Sequence, residues 1–238
     1  MRSRATAESL TRLQEVAARA RPVALARDQT LPVLEPLQTL FPDGLRRGST
    51  VGIERSTSLA LALAAGPSSE GSWLAVVGVS SLGLAAASEL GVDLEHLVAV
   101  ADPPSASWGT VVATLVDAFD VVLVRPRRRV GVADTRRLTA RARERGSVLV
   151  VLGATATWPD AVDVELTIRS EEWHGIGDGH GHLHARQVVV EAGGRRAAAR
   201  TRRVPLWLPA ACGGVAAVDE LAEVRPFPSP NVGWKQTL

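Results

Sequence analysis

Cysteine is all but absent from this 238-residue chain, with Cys212 standing alone. That excludes an intrachain disulfide framework and a multi-cysteine zinc site, and it suits a reducing cytoplasm. Tyrosine is missing altogether, and six Trp with three Phe bring the aromatic share to only 4%. A core must then be assembled mainly from Val, Leu and Ala within the 46% hydrophobic content, which suits an α/β sheet covered by helices. No apolar run approaches the roughly 20 residues that a membrane helix requires. The arginines near the N-terminus are not followed by the apolar stretch of a secretory signal. Lysine is as scarce as cysteine: Lys235 is the only one, so the 27 basic residues are almost wholly arginine, against 25 acidic ones and a net charge of +2. Arginine suits bidentate contacts to carboxylate and phosphate.

Three stretches divide the chain. Residues 1–36 read as an N-terminal helix followed by a proline-containing arm: Leu10, Leu13, Val16, Ala17 and Ala20 recur at helical spacing, and Pro22, Pro32 and Pro36 break any period after them. Residues 37–210 alternate strands and helices. Strands are expected at Ser49–Ile53, Trp73–Val79, Leu97–Val100, Asp120–Val124 and Val148–Leu152. Helices are expected at Leu59–Ala65, Leu82–Leu90, Ser107–Ala118 and Asp134–Arg145, with a turn at Pro67–Ser72. Fully apolar strands separated by helices argue for βαβ units and a largely parallel sheet. Beyond Asp163 the pattern changes to Val164–Arg169, Leu183–Glu191 and Ala199–Leu208, strands joined by glycine-rich turns with no helix between them, as in an antiparallel meander. Residues 211–238 form a proline-rich tail that carries Phe227 and Trp234.

Strand, polar turn and helix follow one another at Val51 to Ala60, the place for a phosphate-binding loop. That loop needs glycines whose N–H groups reach the phosphates, a lysine for the outer phosphates and a hydroxyl for magnesium. Glu54, Arg55, Ser56, Thr57 and Ser58 offer neither glycine nor lysine, and Glu54 would repel an anion.

The order of pieces over Leu37 to Leu208 is similar to the RecA core. Leu37-Gln38-Thr39-Leu40-Phe41-Pro42-Asp43-Gly44-Leu45-Arg46-Arg47-Gly48 resembles that family's approach to the phosphate-loop strand. Glu89-Leu90-Gly91-Val92-Asp93-Leu94 and Phe119-Asp120-Val121-Val122-Leu123-Val124 resemble two later segments. The resemblance implies a RecA-like core: a mostly parallel sheet flanked by helices, with an antiparallel C-terminal extension. It places the catalytic glutamate on Val79 and the magnesium-binding aspartate on Arg125, so it implies a pseudo-ATPase with no resident cofactor. The Asp120 to Pro126 run, Trp108 and the proline-rich C-terminus further resemble ImuA-type accessory proteins of actinobacteria. That likeness implies a noncatalytic subunit of a damage-induced (SOS) mutasome in the cytoplasm, nucleoid-associated when active. Its implied partners are an ImuB-like inactive Y-family polymerase and, through it, an error-prone C-family polymerase, with DNA contact and self-association left open. A nucleotide-sensing regulator without hydrolysis and a SulA-like cell-division inhibitor are the alternatives.

Four clusters are candidate contacts. Arg125, Arg127, Arg128 and Arg129 follow a buried strand, where α/β sheets place their ligand sites. Arg136, Arg137, Arg141, Arg143 and Arg145 on the next helix could extend a phosphate-binding patch, or could simply be solvated or paired with acids. His174, His180, His182 and His184 alternate among glycines and read more simply as a polar surface turn than as a metal site. Ser56 to Ser58 suit helix capping. Phe227 and Trp234 are apolar anchors of the kind that engage a partner, the ImuB-like protein by resemblance.

Overall fold

The computed structural model describes residues 30–176, 181–194 and 200–218. The expected N-terminal helix, His180, Phe227 and Trp234 lie outside them. Eleven strands are described: β1 (Thr30–Leu31), β2 (Leu45–Arg46), β3 (Thr50–Ile53), β4 (Leu74–Val77), β5 (Leu97–Val100), β6 (Val121–Val124), β7 (Val148–Leu152), β8 (Val164–Ile176), β9 (Gly181–Gly194), β10 (Arg202–Trp207) and β11 (Ala216–Ala217). The α-helices are α1 (Thr57–Ser69), α2 (Leu84–Glu89), α3 (Trp108–Ala118), α4 (Val132–Arg145) and α5 (Ala154–Thr157).

Nine strands form one mixed sheet in the order β11-β10-β9-β8-β3-β7-β6-β4-β5, and β1 pairs with β2 beside it. From β5 across to β8 every pairing is parallel, and from β8 to β11 every pairing is antiparallel. The central strands β4, β6 and β7 are buried at every residue, which is why their sequences run apolar without alternation. Side chains alternate between two cores. Val121 and Leu123 of β6 join Leu59 and Leu63 of α1, whereas Val122 and Val124 join Leu115 of α3 and Leu138 of α4. Neither core needs many aromatic groups, because valine and leucine fill them.

The expected helix Leu59–Ala65 runs on through Pro67, where a turn was anticipated. Proline removes a donor and ordinarily breaks a helix, but here every residue from Leu59 to Ser68 is buried, and packing overrides the local signal. At Gly66 a Cβ would stand 2.8 Å from the Val33 Cα, so helix and chain approach closely there. The expected helix Asp134–Arg145 starts two residues earlier and is closed by Gly146 in the left-handed conformation.

The largest departure lies in the antiparallel part. β8 and β9 pair as one long hairpin out to Ile176 and Gly181, so His174, His182 and His184 stand in strands where a polar surface turn is expected. Consecutive acids at Glu171 and Glu172 weaken the strand signal. Cross-strand partners supply what propensity lacks: Trp173 opposes Arg186, whose guanidinium lies 5.2 Å from the indole ring centre, and His174 packs edge-on against Trp207 at 4.9 Å. Packed residues lie on both sides of the expected core limits at 37 and 210: Leu31 is buried, and β11 adds an edge strand at Ala216–Ala217. No helix among the described residues is long and apolar enough to cross a membrane.

Candidate functional site

The carboxyl ends of β3 and β6 meet the start of α1, with the first residues of β8 alongside β3. Ile53 leads into Glu54-Arg55-Ser56, and Arg55 takes φ 54°, an uncommon conformation for a residue with a Cβ. Ser56 is the N-cap: its hydroxyl oxygen accepts the Leu59 N–H at 3.1 Å. Glu54 turns away from α1. Its Oε1 accepts the Thr155 N–H of α5 at 2.7 Å, and its own N–H donates to the Leu166 carbonyl at 3.2 Å.

Two guanidinium groups cover the remaining hydroxyls of the first turn. Arg125, just after β6, donates from Nη2 to Thr57 Oγ1 at 2.6 Å. Arg186, from β9, donates from Nη2 to Ser58 Oγ at 2.7 Å and from Nε to the Leu208 carbonyl at 2.8 Å. Its third nitrogen reaches Glu171 Oε2 at 3.3 Å, and its side chain is only 13% exposed. No local sequence pattern marks Arg186, because the hairpin brings it beside Ser58 from 128 residues away. Val79 is buried in the core beneath α1 and α2, among apolar neighbours.

Arg127, Arg128 and Arg129 separate from Arg125. They project into an open cleft of about 450 Å³ that Trp108, Asp102 and Asp134 also line. Arg127 pairs with Asp102 at 2.8 Å and Arg137 with Asp134 at 3.3 Å. No carboxylate among the described residues lies within ion-pair distance of Arg128, Arg129 or Arg136, and all three are exposed. The cationic patch is narrower than the run of arginines on α4 suggests. Arg141 and Arg145 both bind Asp117 of α3, Arg145 at 3.1 Å, and Arg143 binds Asp163 at 3.2 Å. Burial pushes the Asp117 carboxyl upward, but the hydrogen bonds and charge of Arg141, joined by Arg145, outweigh it and hold the group below its ordinary value. Those arginines tie α3 to α4.

Among the described residues, no group of three or more His, Cys, Asp or Glu side chains is arranged to hold a metal ion. His182 and His184 stand with ring centres 6.1 Å apart on the outer part of the hairpin, and Cys212 is exposed. The first turn of α1 is closed by side chains of the protein itself.

A segment is 38% identical over 115 residues to an uncharacterized protein of Mycobacterium tuberculosis, Rv3395c, covering 46% of this chain and 54% of that protein. The chain thus matches about half the length of its mycobacterial relative. The family model of the MT3502 N-terminal domain matches residues 39–160, from just before β2 to just after α5. That span holds the whole parallel block between β3 and β7, together with Glu54 to Ser58, Val79 and Arg125. Since the match takes in just over half of the residues, the chain belongs to the MT3502 N-terminal domain family.

Proposed function

We propose that this chain is a noncatalytic, RecA-like accessory subunit of an error-prone translesion synthesis complex, acting as a scaffold rather than an ATPase. The observation that carries the reading is the closure of the first turn of α1. The hydroxyl best placed to meet magnesium instead accepts a hydrogen bond from Arg125 at 2.6 Å, and its neighbour is taken by Arg186. A guanidinium in that place opposes magnesium, and a buried Val79 cannot take a proton from water. The parallel block continued by an antiparallel meander supports a RecA-like core, and the mycobacterial relative supports an actinobacterial family.

In this reading the intact sheet is kept for its surfaces. An ImuB-like inactive Y-family polymerase is the direct partner, engaged by the segment that carries Phe227 and Trp234. An error-prone C-family polymerase is reached through the complex. Arg128, Arg129 and Arg136, which have no acidic partner among the described residues, meet DNA phosphates, which would give steep salt dependence and little sequence preference. Co-purification from cells producing both proteins tests the scaffold role. Removing Arg225 to Leu238 should abolish capture of the ImuB-like partner, whereas Arg128→Glu with Arg129→Glu should leave it intact. Absence of capture by the full chain would refute the role. The alternative of a nucleotide sensor predicts a higher melting temperature with ATP; none is expected.

A further inference from the structure

A second cavity, of about 400 Å³, opens at the amino ends of the parallel strands, opposite the site around α1. Its floor is apolar, built from Leu40, Phe41 and Leu45, which are 2%, 7% and 1% exposed. Its rim carries four arginines, Arg46, Arg47, Arg143 and Arg202, against the acids Asp43, which is exposed, and Asp163. Two rim arginines are already committed: Arg47 binds Asp120 at 2.9 Å and Arg143 binds Asp163 at 3.2 Å. Those aspartates are fixed in turn by the main chain, Asp120 accepting the Trp73 N–H at 3.1 Å and Asp163 the Thr50 N–H at 3.0 Å. The wall is therefore held in place before anything binds. Arg46, exposed on β2, and Arg202, half-buried at the start of β10, also line the cavity. Neither has a carboxylate within ion-pair distance among the described residues.

We propose that this cavity docks an acidic segment of a partner protein. One large apolar side chain of the partner sits on Phe41 and Leu45, and a neighbouring carboxylate is bound by Arg46 and Arg202. A preformed concave site with an apolar floor and a few convergent polar groups is the usual form of a specific pocket. Arginine is the side chain best matched to a carboxylate. The chain's own N-terminal residues are disfavoured by charge, since residues 1–29 hold six arginines against three acids. The inference goes beyond the scaffold reading and does not depend on it, because its residues lie at the other end of the sheet.

The test uses the full chain, isotopically labelled, titrated with 4-phenylbutyrate and with the uncharged 4-phenylbutanamide while amide resonances are followed. Shifts should cluster at Leu40 to Ser49 and around Arg202, and the acid should bind about tenfold more tightly than the amide. Arg46→Gln alone should reduce that preference, and Arg46→Glu with Arg202→Glu should erase it while leaving the melting temperature unchanged. Equal affinity for acid and amide, or shifts centred on Arg127 to Arg129, would overturn the proposal. So would any of three rival occupants. Displacement of phenylbutyrate by a single-stranded oligonucleotide indicates nucleic acid. Affinity that falls with protein concentration indicates a second copy. A tenfold gain after Asp219→Asn, Glu220→Gln and Glu223→Gln indicates the chain's own segment.

Discussion

Replacing Arg186 by alanine removes a side chain whose hydrogen bond ties the hairpin to α1. The substitution removes hydrogen bonds to Ser58 at 2.7 Å, to the Leu208 carbonyl at 2.8 Å and to Glu171 at 3.3 Å, and it ends the contact with the Trp173 ring. Leu208 is fully buried, so its carbonyl is left with one partner fewer and no water to replace it. A buried acceptor left short costs about 1–3 kcal/mol, and a charged hydrogen bond contributes about 1.5–3 kcal/mol. Glu171 is largely exposed, so its pairing adds little. The total is about 3 kcal/mol, or about 9 °C in melting temperature for a domain of this size. Urea unfolding followed by circular dichroism would give the free energy, and differential scanning calorimetry the melting temperature. Arg186→Lys should recover less than half of the loss, because an ammonium group cannot reproduce the planar fork. A loss below about 0.5 kcal/mol for Arg186→Ala, the size of a neutral surface change, would refute the claim that Arg186 closes the turn.

Other outcomes follow from the same packing. Asp117 is held below its ordinary pKa, so its pairing with Arg141 and Arg145 stabilises the fold at every pH above the unfolded carboxylate value of about 3.9 and loses that contribution as pH falls through the lower folded value. Asp117→Asn should therefore cost about 1 kcal/mol from neutral pH down to about 5 and nothing at pH near 2, read from urea midpoints across pH. A constant gap down to pH 2 would contradict the pairing. Gly48 has φ 75°, and a Cβ there would stand 2.9 Å from the Arg143 Cα, whereas at Gly71, φ 85°, nothing lies within 4 Å. Gly48→Ala should cost about 2–4 kcal/mol and Gly71→Ala about 1 kcal/mol in chemical denaturation, the difference being the forced movement of α4.

Much of the architecture could be read from residue pattern, and the parts that could not share a cause. Strands such as Val121–Val124 and Val148–Leu152 announce themselves because burial on both faces demands unbroken apolar residues. Helix α4 is marked by its apolar stripe at Leu138 and Ala142 and by the glycine that ends it. Pro67 and the glycines among His174 to His184 point away from the observed elements, because each carries a local preference that tertiary contacts overrule: burial of α1 in one case, the Trp173–Arg186 and His174–Trp207 pairs in the other. At the candidate site, Glu54 to Ser58 and Arg125 could be singled out from their place after buried strands, and Ser56 caps α1 as that place suggests. Arg186 could not, since its approach to Ser58 is a product of sheet topology and of the length of the hairpin. The arginines of α4 look like one patch in sequence, yet Arg141, Arg143 and Arg145 are used inside the fold.

Hydrolysis is the most direct test of the central claim. Purified full-length chain, incubated with ATP and magnesium with and without single-stranded DNA, should release phosphate no faster than the buffer control. The rate should be unchanged by Arg125→Ala, which uncovers the Thr57 hydroxyl but restores neither a lysine nor a carboxylate. Turnover that rises on addition of DNA and is lost in a Thr57→Ala variant would contradict the account, since it would mean that the first turn of α1 still serves a nucleotide.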